Sequence, residues 1–148
     1  MFELETIMTT DVVSVSPSDP VAKARLLMKD HRIRHLPVVS DSGELIGLVT
    51  QTDLFAAQDS FLREKDDRLP VRDFPVEDIM VTGIATVEKK ASLRQAALFL
   101  EKHRFGCLPV VENGKLVGIV TDSDFVGVAI NLLEQIEENE ADLSYLEE

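Results

Sequence analysis

Short apolar runs alternate along the chain with longer stretches in which apolar residues recur every three or four positions. Residues 12–15 and 84–87 are brief and β-branched or small, which suits buried strands. After the first run, Val21, Ala24, Leu27 and Met28 fall on one face of a helix; after the second, Leu93, Ala96, Ala97 and Leu100 do so more cleanly. Ser18 and Ser92 stand where each helix needs an N-cap. Leu36-Pro37-Val38-Val39 and residues 45–49 then flank Asp41-Ser42-Gly43, the pattern of two strands joined by a tight turn, and Asn113-Gly114 makes the same turn later. Pro37 and Pro109 have no N–H to donate, so each is expected to begin its strand or lie on a sheet edge. A second helix follows each hairpin, through Leu54, Ala57 and Phe61 in one case and Val126, Ala129, Ile130, Leu133 and Ile136 in the other.

The two halves are copies. Residues 7–54 lie over 79–125 with one deletion in the turn, and about 18 of roughly 47 aligned positions are identical, too many for shared composition to produce. Ile7-Met8 answers Ile79-Met80, His31-Arg32 answers His103-Arg104, Leu36-Pro37-Val38-Val39 answers Leu108-Pro109-Val110-Val111, and Gly47-Leu48-Val49-Thr50 answers Gly118-Ile119-Val120-Thr121. The organisation expected is a first repeat at 1–62, a charged linker at 63–74 containing Pro70, a second repeat at 75–138 opened by Pro75, and an acidic tail at 139–148.

Length and charge narrow the classes. A chain of 148 residues holds one compact domain or two interlocked small ones. Its formal charge of −12 argues against nucleic-acid binding, which needs clustered Lys and Arg. From Asn131 onward there are seven carboxylates and no Lys or Arg, read as a solvated helix face with a frayed end or as a docking element for a partner. The acidic beginning and the lack of a long apolar run lead us to expect a cytoplasmic protein away from the membrane. Cys107 is alone, which leaves it no internal disulfide, and its apolar strand context favours packing over reactivity. His31, His35 and His103 lack the spacing of a zinc site.

One motif carries candidate chemistry. Thr50-x-x-Asp53 and Thr121-x-x-Asp124 sit where a strand gives way to a helix. Read plainly, each is a helix cap, with the Thr hydroxyl accepting a backbone N–H and the Asp complementing the dipole. The same geometry suits a nucleotide, since a helix N-terminus attracts phosphate and a carboxylate with spare acceptor sites takes the hydroxyls of a ribose. Arg34 and His35 precede the first LPVV and offer charge for a phosphate, although a surface ion pair would also account for Arg34. The second copy has Gly106 and Cys107 there, so the two sites are expected to be unequal. His31-Arg32 and His103-Arg104 end helices, where cations favour the dipole.

The order strand, helix, strand, turn, strand, helix, with LPVV and Gly-x-Val-Thr-x-x-Asp in both copies, resembles the cystathionine-β-synthase-type (CBS) repeat family over nearly the whole chain. The resemblance implies an α/β (α+β) fold of two βαββα repeats packed pseudo-symmetrically through their sheets, and pairing into a homodimer. It implies a stand-alone regulatory protein that binds an adenine nucleotide (AMP, ADP or ATP) between repeats and modulates a partner protein. Asp53 and Asp124 would then hold the ribose, with Thr50 and Thr121 near the phosphate. Leu48 and Ile119 would line the pockets, Val13 and Ala85 would flank the base, and Arg34 and His35 would meet phosphate. The Asp53 site, or one sharing Arg34, would prefer the more highly charged ligand. The alternative is a module that keeps the fold for protein interaction and binds no ligand; the two intact Thr-x-x-Asp elements weigh against it. Catalysis is not expected, since no nucleophile with a base and no Gly-rich phosphate loop is present.

Overall fold

The computed structural model describes residues 3–63, 73–104 and 106–146, with the backbone alone at 59–63 and 144–146. The side chain of Phe61, most of the expected linker, and Glu147 and Glu148 lie outside the described residues. Helix α1 spans Val21–His31, and strands β1 (His35–Val39) and β2 (Leu45–Thr50) lead into helix α2 (Gln51–Arg63). The second copy begins with β3 (Val87–Glu88), continues through α3 (Leu93–His103), β4 (Cys107–Glu112) and β5 (Lys115–Thr121), and ends in α4 (Asp122–Leu146). The fold is α+β, with β1 and β2 forming one antiparallel sheet and β3, β4 and β5 another.

The hairpins form as expected, with Gly43 at φ +86° in the first turn and Asn113 and Gly114 at +53° and +79° in the second. Both ladders slip at the same place, after Val38 and after Val110. Each proline is the third residue of its strand; Pro37 lies in a two-stranded sheet, where both strands are edges, whereas Pro109 departs from expectation by lying in the central strand of its sheet. Register explains how. Leu48, opposite Pro37, sends both its N–H and its C=O away to Val81, so this pair needs no bond from the proline.

On its other side, Pro37 can accept but not donate: its C=O takes the Val15 N–H, and nothing returns from its nitrogen. The expected strand at 12–15 is accordingly reduced to one parallel bridge between Val15 and Val38. Its copy, β3, is only Val87–Glu88, paired parallel to Val110 and Val111.

Helix α3 starts as read, with a reciprocal capping box between Ser92 and Gln95. Helix α1 does not. Its N-cap is Pro20, the true counterpart of Ser92, and Ser18 makes no cap. The Asp19 carboxylate instead closes the preceding turn by accepting the Ser16 N–H at 2.9 Å, which holds its pKa below the usual value; burial opposes this slightly and Lys23 adds to it. Helix α4 runs unbroken to Leu146, so the acidic stretch is helix from 139 to 146.

The repeats are joined by exchange. Thr9 of the first repeat pairs with Ile119 of β5, and Val81 of the second pairs with Leu48 of β2, each through two backbone hydrogen bonds of 2.8–3.0 Å. The turns also interlock, Leu45 N–H donating to Gly114 and Leu116 N–H to Gly43. Cores follow the same rule. Val76 is fully buried among Val15, Ala24, Leu36 and Val49 of the first repeat, and Leu4 among Val87, Ala96, Leu108 and Val120 of the second.

The crossing needs glycine. A Cβ on Gly118 would stand 2.7 Å from the Met8 sulfur and 3.1 Å from the Thr9 carbonyl, and one on Gly47 would meet Met80 and Val81 equally closely. Gly118→Ala should therefore destabilise the protein by about 1–3 kcal/mol through overpacking. A thermal melt should show the loss; an unchanged melting temperature would mean that Met8 and the Thr9 backbone yield freely.

Candidate functional site

The exchange brings the end of β5 beside the first strand region of the other repeat and opens a cleft between them. The cleft has a volume of about 320 Å³, at the lower end of the range for small-molecule sites. Ile119, Thr121 and Asp124 line one wall; Val13, Arg34 and His35 line the other. Six of the ten residues singled out in the sequence thus meet in one place, drawn from both repeats.

Asp124 is fixed by its own helix. Its Oδ2 accepts the Thr121 N–H at 2.9 Å and the Thr121 hydroxyl at 3.3 Å, while the Asp124 N–H points to Thr121 Oγ1 at 3.4 Å. Oδ1 takes part in no hydrogen bond with the described residues. The capping and ligand readings therefore use different oxygens of one carboxylate and do not compete. Asp53 is held the same way, with Oδ2 accepting the Thr50 N–H at 2.9 Å and the Asp53 N–H donating to Thr50 Oγ1 at 3.1 Å.

Positive charge converges from several elements. Arg34 is exposed and forms no ion pair with any described residue. It lines the Asp124 cleft and also an adjoining hollow of about 210 Å³ with Thr50, Gln51, Thr52, Arg104 and Gly106. His35 borders both hollows. The Arg34 carbonyl accepts the Gln51 N–H and the Gly106 carbonyl the Asp122 N–H, so the residue before each LPVV-like strand anchors a helix start.

The sequence places Arg32 and Arg104 as helix-end cations. Both do cap helices, at φ +54°, but that left-handed turn also carries Arg32 into the Asp124 cleft and Arg104 into the hollow beside Thr50. The repeated His-Arg pair was the available signal; what it lacked was the direction of the turn. Asp11 and Asp122 also line the Asp124 cleft, and Asp122 occupies the first position of α4, where Gln51 stands in α2. Its Oδ1 accepts the Ser123 N–H at 2.9 Å.

Asp53, Leu48 and Ala85 lie apart from these two hollows. Leu48 is 2% exposed and tied to Val81, and Ala85 packs on the second core. The pseudo-symmetric cleft at Asp53 would use Phe105 where the first uses Ile33, and Phe105 lies outside the described residues.

Cys107 replaces His35 in that second setting. Burial, and secondarily the Asp122 charge, push its thiol up to about 12. An acid whose folded pKa is raised contributes stability below its unfolded pKa, near 9, and loses it as pH rises toward 12, because the unfolded chain gives up its proton first. At pH 8 iodoacetamide should label native Cys107 far more slowly than the unfolded chain; equal rates would contradict its burial.

The architecture is that of a tandem-repeat module with a ligand-sized cleft built across its halves. The sequence profile of the CBS domain matches residues 4–60 and 76–131, and the chain belongs to the CBS domain family. A putative acetoin utilization protein, AcuB, of Vibrio cholerae has a crystal structure that superposes with a TM-score of 0.80 at 40% identity, covering 93% of this chain and 97% of that one. CBSX2 in complex with AMP superposes with a TM-score of 0.77 at 30% identity, over 89% of this chain and 98% of that one. Among curated relatives, the inosine-5'-monophosphate dehydrogenase of Thermoplasma acidophilum is 35% identical over 123 residues, which are 82% of this chain and 22% of that enzyme. The chain thus spans less than a third of the length of the first curated relatives it matches. None of the helices among the described residues is long and apolar enough to cross a membrane.

Proposed function

We propose that the protein is a regulatory sensor of adenine nucleotides. The observation that carries the proposal is the Asp124 carboxylate, fixed through Oδ2 by Thr121 while Oδ1 has no hydrogen bond with the described residues, in a cleft that Arg34 and His35 also line. In this reading Oδ1 accepts from the ribose hydroxyls, Val13 and Ile119 flank the base, and Arg32, Arg34 and His35 face the phosphates. The AMP held by CBSX2 supports the ligand class. Asp53, Thr50, Leu48 and Ala85 form the second, weaker site, whose counterparts of Arg34 and His35 are Gly106 and Cys107. Because Arg34 belongs to the Asp124 cleft, that cleft is the one that prefers the more highly charged nucleotide.

The repeats at 1–62 and 75–138 exchange short segments, Thr9 bridging to β5 and Val81 to β2, so ligand in either cleft bears on both cores. A nucleotide that fits one packing of the repeats better than another would shift that packing and, through it, a partner protein. We place the protein in the cytoplasm, where these nucleotides are found, as a homodimer that performs no catalysis.

A panel of AMP, ADP, ATP, S-adenosylmethionine and NAD tests this directly. Ligand at 100 times its dissociation constant should stabilise the fold by about 2.7 kcal/mol, a rise of several degrees in melting temperature. No shift with any of the five would reject the sensor and leave the interaction module. Arg34→Ala should weaken ATP more than AMP in calorimetry; equal weakening would remove Arg34 from the β- and γ-phosphates.

A further inference from the structure

Charge is shared unequally between the Asp124 cleft and the hollow beside it. Among the described residues, the cleft is lined by the carboxylates of Asp11, Asp122 and Asp124 against the cations Arg32 and Arg34 and the His35 imidazole. In the hollow, the Asp122 carboxylate alone stands against Arg34, Arg104 and His35. Arg34, His35 and Asp122 line both spaces and so form the border between them. Gly106 marks where that border is narrow, since a Cβ built on it would stand 3.4 Å from the His35 ring and 3.6 Å from Asp122 Oδ2.

The hollow is an extension of the cleft rather than a nucleoside site in itself. Its volume, about 210 Å³, falls below the range of small-molecule pockets. Its other polar side chains, on Thr50, Gln51 and Thr52, are neutral hydrogen-bonding groups. Arg34 and Arg104 come from different repeats, both are exposed, and neither forms an ion pair with a described residue. Like charges lining one small space repel, and an anion placed between them relieves the repulsion. A nucleotide with its ribose on Asp124 sets its first phosphate in the cleft, where the carboxylates offset the arginines. A longer phosphate chain crosses the border to Arg104, whose planar guanidinium suits a terminal phosphate. We propose that the hollow is a terminal-phosphate subsite of the Asp124 cleft, with Arg104 reading the end of the chain and Asp122 opposing it at the border. This rests on the nucleotide reading above and adds to it the residues that tell a triphosphate from a monophosphate.

Calorimetry of the full chain with AMP and with ATP tests it. Arg104→Asn keeps a residue that tolerates the left-handed turn after α3, so the thermal melt should hardly move. Its dissociation constant for ATP at the stronger site should rise by about tenfold or more, the equivalent of one charged hydrogen bond. That for AMP should change by less than about threefold, because the lost charge lies beyond the border and is screened. Asp122→Asn can still accept the Ser123 N–H, and it should tighten ATP by about threefold as the opposing charge is removed. A merely structural role for Asp122 would not produce a gain. The Arg104→Asn effect on ATP should persist when Asp53→Asn is added; its disappearance there would give the hollow to the other cleft and overturn the proposal. An ATP loss no larger than the AMP loss in Arg104→Asn, or no ATP gain in Asp122→Asn, also overturns the subsite and leaves the nucleotide reading in place. A parent chain that binds neither nucleotide overturns both.

Discussion

Leu4→Ala should cost about 2–5 kcal/mol of stability, and the loss should fall on the half of the molecule to which Leu4 does not belong in sequence. Leu4 is fully buried, and its neighbours are Val87, Leu93, Ala96, Leu108 and Val110. Removing its methyl groups leaves a cavity in the second core, and close packing keeps the neighbours from collapsing fully into it. Amide hydrogen exchange would localise the effect, with protection falling in α3 and β4 more than in α1 and β1. Val76→Ala should give the mirror result, smaller because fewer methyl groups are lost, with α1 and β1 affected. Equal loss across both halves after Leu4→Ala would show that the exchanged segments merge the cores into one cooperative unit.

Asp124→Asn should raise the dissociation constant for AMP at the stronger site by about 10- to 150-fold, the equivalent of one charge-assisted hydrogen bond. The substitution is chosen because an asparagine oxygen can still accept the Thr121 N–H and keep the cap, which turns the NH2 toward the cleft, where it cannot accept from a ribose hydroxyl. A melting temperature within a degree or two of the parent, together with weakened binding, separates the ligand role from the capping role. Asp53→Asn should leave the stronger site intact. Calorimetry showing unchanged affinity in both variants would defeat the ribose assignment while leaving the caps in place.

Much of the fold is legible in the sequence because its signals are local and occur twice. The Gly43 and Asn113-Gly114 turns, the Ser92 cap and the apolar faces of α1 and α3 are set by residues within a turn or two of one another. The miss at Ser18 has a local cause as well: the repeat alignment puts Pro20, not Ser18, opposite Ser92, and a proline before the first helical residue starts a helix through fixed geometry rather than a side-chain bond. The strand at 12–15 fails for a reason outside itself, since its would-be partner position is Pro37. The continuation of α4 to Leu146 is the opposite case, because nothing in its own charge pattern favours helix there.

The sequence by itself determined that two copies of one α+β unit are present, that Thr50-x-x-Asp53 and Thr121-x-x-Asp124 each cap a helix, and that Arg34 and His35 occur once. Those facts follow from spacing along a single chain. Only the tertiary structure decided that Arg34 lines one cleft with Asp124, that Arg32 and Arg104 turn into the hollows, and that each core borrows a segment from the other repeat. The physical reason is that these pairings are set by backbone hydrogen bonds between Thr9 and Ile119 and between Val81 and Leu48. Backbone groups are the same at every residue, so the choice of partner is made by where glycine lets two segments cross and by which core has room for Leu4 and Val76.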